Sequence, residues 1–230
     1  MKNKYSIFSL IKNAFSNHEN WQRAWRDPEP KKEYDAIIIG GGGHGLATAY
    51  YLAKEYEIKN IAILEKGWIG GGNIGRNTTI LRSNYMHDAN NLFYDHGMQM
   101  WKDLSQELNY NVMYSPRGIL NLAHSDAQLN AYSRRGNSMR LNGIEASLLG
   151  REEVRKIIPF ADFTDNARFP IFGGLMQSIG GTARHDAVAW GYARAADDLG
   201  VDIIQHCEVT GFDIINLSLI HISEPTRLAR

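Results

Sequence analysis

The chain has 230 residues, 43% of them hydrophobic and 22% charged, a balance that supports a sizeable buried core and excludes a disordered tail. Its 25 basic and 25 acidic residues cancel, so no net field draws it to nucleic acid or another polyanion. The lone cysteine, Cys207, excludes an internal disulfide and a multi-thiolate metal site, and it reads as a small buried hydrophobe in a reducing compartment.

The N-terminal run MKNKYSIFSLIKNAF is basic, but Ser9 and Lys12 interrupt its apolar positions and no small-residue cleavage pattern follows. No uncharged apolar stretch approaches the roughly 20 residues that span a bilayer. The expectation is a soluble, cytoplasmic protein with no membrane partner. Phe8, Leu10, Ile11 and Phe15 share one helical stripe, and Trp21, Trp25 and the DPEPKK linker extend this into an arm over 1–33. Its aromatics are placed to cover a partner subunit or to fold back on the chain.

Residues 34–39, YDAIII, read as a strand buried on both faces, 44–55 as a helix with small residues early, and 60–65, NIAILE, as a second buried strand. Together they spell a right-handed βαβ unit of a parallel sheet. A glycine-rich aperiodic loop over 66–78 leads to a helix at 88–107, with Leu92, Met98, Trp101 and Leu104 as core candidates. Strands are expected at 111–114 and 117–123 around Ser115-Pro116-Arg117-Gly118, helices at 126–141 and 151–158, and a strand at 171–177. This mixed α+β block, 111–180, reads as a substrate-side domain. A helix at 186–199 closed by Gly200 precedes VDIIQHCEVTGFDII, two strands returning over 181–216 to the first sheet. Residues 217–227, LSLIHISEPTR, are the translation of a transposase adaptor used in sequencing libraries; 217–230 are therefore read as a non-native tail that truncates the chain, and they are set aside from the fold. No internal repeat stands out.

Gly40-Gly41-Gly42-Gly43-His44-Gly45 follows the first strand and matches G-x-G-x-x-G. Gly40 permits the tight turn, Gly42 lets the backbone approach a pyrophosphate, and Gly45 allows close packing of helix on strand. The helix N-terminus offers free N–H groups to phosphate, and Glu65, closing the second strand 20 residues after Gly45, can accept hydrogen bonds from ribose hydroxyls. Strand, motif, helix, strand and acid in register specify a dinucleotide site. The motif does not choose between FAD and NAD.

The run LEKGWIGGGNIGRNTTILRSNY resembles the second cofactor segment of the D-amino-acid oxidase type of flavoprotein. Further blocks, YDAIIIGGGGHGLATAYYLAKEY, LNYNVMYSPRGILNLAH, RHDAVAWGYARAADDLGVDIIQ and CEVTGF, resemble the beta subunits of heterotetrameric sarcosine oxidases, nearly continuously from Tyr5 to Phe212. The resemblance implies an α/β fold: a Rossmann-like FAD-binding domain, its first segment at 34–110, with a mixed α+β substrate-side domain. It implies non-covalent FAD contacts at Gly43, His44, Glu65, Asn73, Thr78 and Ile80, with Val209 placed by its strand position toward the adenine.

It implies further a covalent FMN on His185, within Arg184-His185-Asp186, and an Arg82 and Tyr85 over the flavin face, where Arg82 clamps a substrate carboxylate and Tyr85 orients the amine. On the residues alone, His185 is more plainly a helix N-terminal histidine, whereas for Arg82 and Tyr85 a surface arginine and a core tyrosine is the lesser of the two readings. The other histidines show no paired metal spacing, so no metal is assigned. The implied reaction oxidises sarcosine to glycine and formaldehyde, or to methylene-tetrahydrofolate, with release of hydrogen peroxide. The implied partners are alpha, gamma and delta subunits, with tetrahydrofolate bound through alpha. Competing readings are a dimethylglycine or glycine oxidase or dehydrogenase, an NAD-binding Rossmann protein, and a non-catalytic fragment.

Overall fold

The computed structural model describes residues 6–17, 19, 23–85, 87–215 and 218–225. In chain order these form α1 (Ile7–Phe15), β1 (Ala36–Ile39), α2 (Gly43–Glu55), β2 (Ile61–Glu65), a single 3-10 turn (Asn73–Arg76), β3 (Ile80–Leu81) and α3 (Asp88–Glu107). There follow β4 (Ile119–Ala123), α4 (Asp126–Leu141), β5 (Ser147–Gly150), α5 (Arg151–Ile157), β6 (Gly173–Gln177), β7 (Gly181–Thr182), α6 (His185–Asp198), β8 (Asp202–Gln205), β9 (Cys207–Ile215) and β10 (Ser218–Pro225). The chain divides into two compact units, one of residues 1–78, 106–112 and 184–230, the other of 79–105 and 113–183. Most of α3 thus lies in the second unit, whereas the sequence reading put it in the first.

In the first unit β1, β2 and β8 form a parallel sheet in the order β1-β2-β8, with Ala36 opposite Ile61 and Ala62 opposite Asp202. The βαβ unit read from the sequence is therefore present. β2 is buried on both faces, because Ala62 and Leu64 pack with Ile204 and Cys207 under Tyr34 and Val209, while Ile61 and Ile63 are fully covered on the other side. β1 corrects the expectation of a strand buried on both faces. It is an edge strand: Ile38 lies against the start of α2, but Ile37 and Ile39 are 39% and 53% exposed because the cover over Ala62 and Leu64 does not reach them.

α6 buries eight residues, among them Ala187, Ala189, Gly191, Ala193 and Ala196, and this small-residue surface lets neighbours approach closely. A Cβ on Gly191 would meet Leu108 and Tyr110 at 3.2 Å. Tyr192 meets Tyr50 of α2 edge to face, with centroids 5.7 Å apart. Gly200, at φ +97°, ends the helix in the left-handed conformation that glycine adopts without a Cβ penalty.

The arm is pinned at its C-terminal end. Asp202, 1% exposed at the start of β8, receives Lys31 at 2.8 Å, Arg26 at 3.4 Å and the Tyr34 hydroxyl at 3.2 Å. α1 forms as its stripe predicts, with Ser6 capping the Ser9 N–H, yet buries none of its residues. Trp21 lies outside the described residues.

Of the two strands over 201–215, β8 rejoins the parallel sheet, but β9 corrects the expectation: it pairs antiparallel with β10. Residues 218–225 of the segment set aside as a tail thus form a strand paired with β9.

In the second unit β4, β6 and β5 form an antiparallel sheet in the order β4-β6-β5, and β3 pairs with β7. Its core gathers Met139, Ile144, Ala146 and Leu175, with Tyr132 packed against them. The helix expected at 126–141 has those bounds, started by Ser125, whose side chain accepts from the Gln128 N–H. The strand expected at 111–114 is absent. Met113 sits at φ +55°, and only Ser115 makes a bridge, to Thr182. Within α3, Met98 and Leu104 are buried as expected, but Leu92 is 61% exposed and is not a core residue. Among the described residues no helix is long and apolar enough to cross a membrane.

Candidate functional site

The first glycine loop forms a tight turn from β1 into α2. Gly40 has φ +102°, and its N–H donates to the Leu64 carbonyl at 2.8 Å. A Cβ on Gly45 would sit 2.1 Å from the Gly40 carbonyl oxygen, so only glycine lets the helix start this close to the strand end. At Gly42 a Cβ would meet nothing within 4 Å, leaving open space above the backbone. Gly42 is also the N-cap of α2 and contributes no side-chain cap, so the first-turn N–H groups lack that partner. His44 is exposed in that first turn.

Glu65 ends β2 with its carboxylate fixed by two main-chain donors. Oε2 accepts from the Gly41 N–H at 2.7 Å and Oε1 from the Gly67 N–H at 2.8 Å. Each oxygen keeps a further lone pair.

The second glycine loop repeats the turn of the first. Gly70-Gly71-Gly72-Asn73-Ile74-Gly75 is itself G-x-G-x-x-G; Gly70 has φ +92°, and a Cβ on Gly75 would lie 2.1 Å from the Gly70 carbonyl oxygen. Gly72 caps the 3-10 turn as Gly42 caps α2, again with open space at its missing Cβ. The sequence marks this segment as a glycine-rich loop resembling a second cofactor segment, but not as a second copy of the G-x-G-x-x-G turn. The spacing of Gly70, Gly72 and Gly75 was the signal that would have found the repeat. The loops interlock, because a Cβ on Gly41 would strike Ile69 at 2.5 Å and one on Gly43 would strike Ile74 at 2.9 Å. The second loop is tied down by Gln205 Oε1, which accepts from the Ile69 N–H at 2.8 Å. Asn73 and Thr78 are exposed, and Val209 packs on the core beside Ala62 and Leu64.

His185 is the first residue of α6, and its Nδ1 is buried without a hydrogen-bond partner among the described residues. Beside it, Arg184 donates to both oxygens of Asp186 at 2.7 and 3.1 Å, and this pairing holds the Asp186 carboxyl below the usual carboxylate range.

In the second unit, Ile80 is half exposed on β3, and the turn that follows carries Arg82 and Tyr85. The turn is anchored by Ser83, whose N–H donates to Gln177 Oε1 at 3.3 Å and whose Oγ accepts from Gln177 Nε2 at 2.6 Å, both residues being fully buried. The Arg82 guanidinium lies 5.3 Å from the Tyr85 ring centroid, and Tyr85 stacks on Tyr94 at 4.3 Å. Arg82 and Tyr85 are thus brought together. Just before them Thr79 has φ +61°, an uncommon backbone conformation for a β-branched residue.

The sequence pattern of the family described as DAO, FAD dependent oxidoreductase, matches residues 35–224. The chain belongs to the FAD dependent oxidoreductase family. It is 64% identical over 208 residues to the sarcosine oxidase subunit beta of Rhizobium meliloti, covering 90% of this chain and 50% of that protein. The sarcosine oxidase subunit beta of Rhodobacter capsulatus is 52% identical over the same shares. The chain therefore spans about half the length of the curated relatives it matches. Glycine oxidase from Geobacillus kaustophilus shares the fold with a TM-score of 0.75 at 20% identity, over 84% of this chain and 52% of that one.

For a member of the FAD dependent oxidoreductase family the first unit fits its cofactor. Space without a Cβ above Gly42, an uncapped helix start, and a carboxylate already oriented but not saturated are what a pyrophosphate and a ribose require. Among the described residues no group of three His, Cys, Asp or Glu side chains is placed to hold a metal ion.

Proposed function

We propose that this chain is the FAD-binding portion of a sarcosine oxidase beta subunit, acting in the cytoplasm with alpha, gamma and delta subunits and with tetrahydrofolate bound through alpha. The observation that carries the reading is the 64% identity over 90% of the chain to a protein of that name, along a sequence whose glycine turns build the dinucleotide cradle. When bound, FAD accepts the hydride equivalent lost by the N-methyl carbon of sarcosine.

The chain's own residues hold and align. Gly40, Gly42 and Gly45 shape the turn, the α2 N-terminus with Gly43 and His44 faces the pyrophosphate, and Glu65 takes the ribose. Asn73, Thr78, Ile80 and Val209 complete the FAD contacts. Arg82 supplies a planar two-donor fork to the substrate carboxylate, and Tyr85 orients the amine. His185 is the proposed attachment point of a covalent FMN; among the described residues its buried Nδ1 has no hydrogen-bond partner, which fits an imidazole engaged by another group.

The test is to express the complete protein with its partner subunits, record the visible spectrum, and separate free from covalent flavin by acid precipitation. Yellow protein with one acid-soluble and one acid-precipitable flavin, releasing peroxide from sarcosine, is the expected result. Colourless protein that stays so after soaking with flavin nucleotides overturns the reading.

A further inference from the structure

The turn after β3 holds a charge arrangement that the proposed function uses only in part. Arg82 Nη1 donates to Asn84 Oδ1 at 3.3 Å, and Arg135, reaching in from α4, donates to the same oxygen through Nη2 at 3.0 Å. Arg135 also donates to the Asn84 main-chain carbonyl, through Nε at 2.8 Å and through Nη2. One amide oxygen therefore serves two guanidinium groups. This fixes which way the Asn84 amide faces, since the reverse orientation would set N–H against N–H. The amide nitrogen is left on the other side, and Nδ2 is buried without a hydrogen-bond partner among the described residues, in a residue 1% exposed.

Among the described residues neither Arg82 nor Arg135 has a carboxylate within ion-pair distance. Burial, and then the charge of Arg82, hold the Arg135 guanidinium below its usual range. Two like charges partly withdrawn from water, together with an orphaned buried donor, carry a cost that an anion would offset. Asparagine is suited to such a place. It orients both guanidinium groups without cancelling their charge, whereas an aspartate of the same shape would be a built-in counter-ion.

We infer that Arg135 is a positioning residue which, through Asn84, fixes the Arg82 guanidinium and keeps the cluster doubly positive, so that it takes the carboxylate of an amino-acid substrate. The inference rests on the proposed role of Arg82. It differs from that role in making the carboxylate affinity of Arg82 depend on Asn84 and on Arg135, which lies 51 positions from Asn84 along the chain.

The test uses Asn84→Asp and Arg135→Met in the complete protein assembled with its partner subunits. The probe is acetate, a carboxylate with no oxidisable amine, titrated against the flavin absorbance, and the KM for sarcosine is measured beside kcat. Asn84→Asp should keep its flavin and its melting temperature, because it gains an internal ion pair, yet lose about tenfold or more in acetate affinity. Its KM should rise by a similar factor, with kcat changing less. Arg135→Met should show the same loss, and Arg135→Lys should recover part of it.

A purely structural role predicts the reverse pattern, with less flavin loaded but unchanged acetate affinity in the loaded fraction. Acetate binding within about twofold of wild type in flavin-loaded Asn84→Asp overturns the inference. Should that variant not fold, the same result in Arg135→Met overturns it. Wild-type protein that holds FAD but gives no carboxylate-dependent spectral change overturns the Arg82 role and this inference together. Wild-type protein without flavin overturns the proposed function first.

Discussion

Glu65 Oε2 accepts a hydrogen bond from the Gly41 N–H at 2.7 Å, so the acid that ends β2 is fastened to the very turn that follows β1. Its other oxygen holds the Gly67 N–H. A carboxylate serves both donors, whereas an amide has only one acceptor oxygen and sets its NH2 against the second donor. Glu65→Gln is expected to cost about 1–3 kcal/mol in thermal or urea unfolding, and to weaken FAD binding in a flavin titration.

Gly45→Ala drives a methyl group against the Gly40 carbonyl oxygen, 2.1 Å from the ideal Cβ position. Backbone on both sides leaves no flexible group to yield. The expected loss is about 1–3 kcal/mol or more, seen as a lower melting temperature and as protein that purifies without flavin. Gly42→Ala, with nothing within 4 Å of its Cβ, should fold normally and lose only nucleotide affinity.

Thr79→Gly relieves a β-branched residue held at φ +61°. Strain of this kind costs about 1–3 kcal/mol, and glycine returns about 0.5–1 kcal/mol of that through the entropy of the unfolded chain. A net gain of about 1 kcal/mol in a thermal melt is expected.

His185→Ala should convert acid-precipitable flavin into acid-soluble flavin, measured as loss of flavin fluorescence from the denatured polypeptide. The fold should change by less than about 0.5 kcal/mol, because the buried Nδ1 makes no hydrogen bond to lose. Covalent flavin that persists in this variant places the linkage elsewhere.

Asp186 gives a pH dependence. Arg184 and the Ala187 N–H hold its folded-state carboxyl below the usual range, so its contribution to stability is present above the ordinary value of about 4 and is lost as pH falls through the lower folded value. Asp186→Asn should be the less stable protein at pH 7, and its melting temperature should converge with wild type in acid. High salt should narrow the difference, because Arg184 is well exposed.

What the sequence alone determined is what is local. The apolar runs of β1 and β2, the helix between them, and the glycines at 40, 42 and 45 specify a parallel βαβ unit with a tight glycine turn, because each feature is set by residues a few positions apart. Gly200 likewise announces a helix stop. The Gly70, Gly72 and Gly75 repeat was equally local, and was legible to anyone applying the same spacing twice.

Tertiary structure decided what depends on distant residues. The exposure of Ile37 and Ile39 follows from where the cover over β2 ends, and composition carries no trace of that. The two-residue strands β3 and β7 exist only because each supplies the other's hydrogen bonds across some hundred positions, and neither is long enough to show a period. The joining of Asn84 to Arg135 is of the same kind. Sequence could single out Arg82, but a second guanidinium on the same oxygen is a consequence of α4 packing beside that turn, and side-chain charge says nothing of which helix will arrive there.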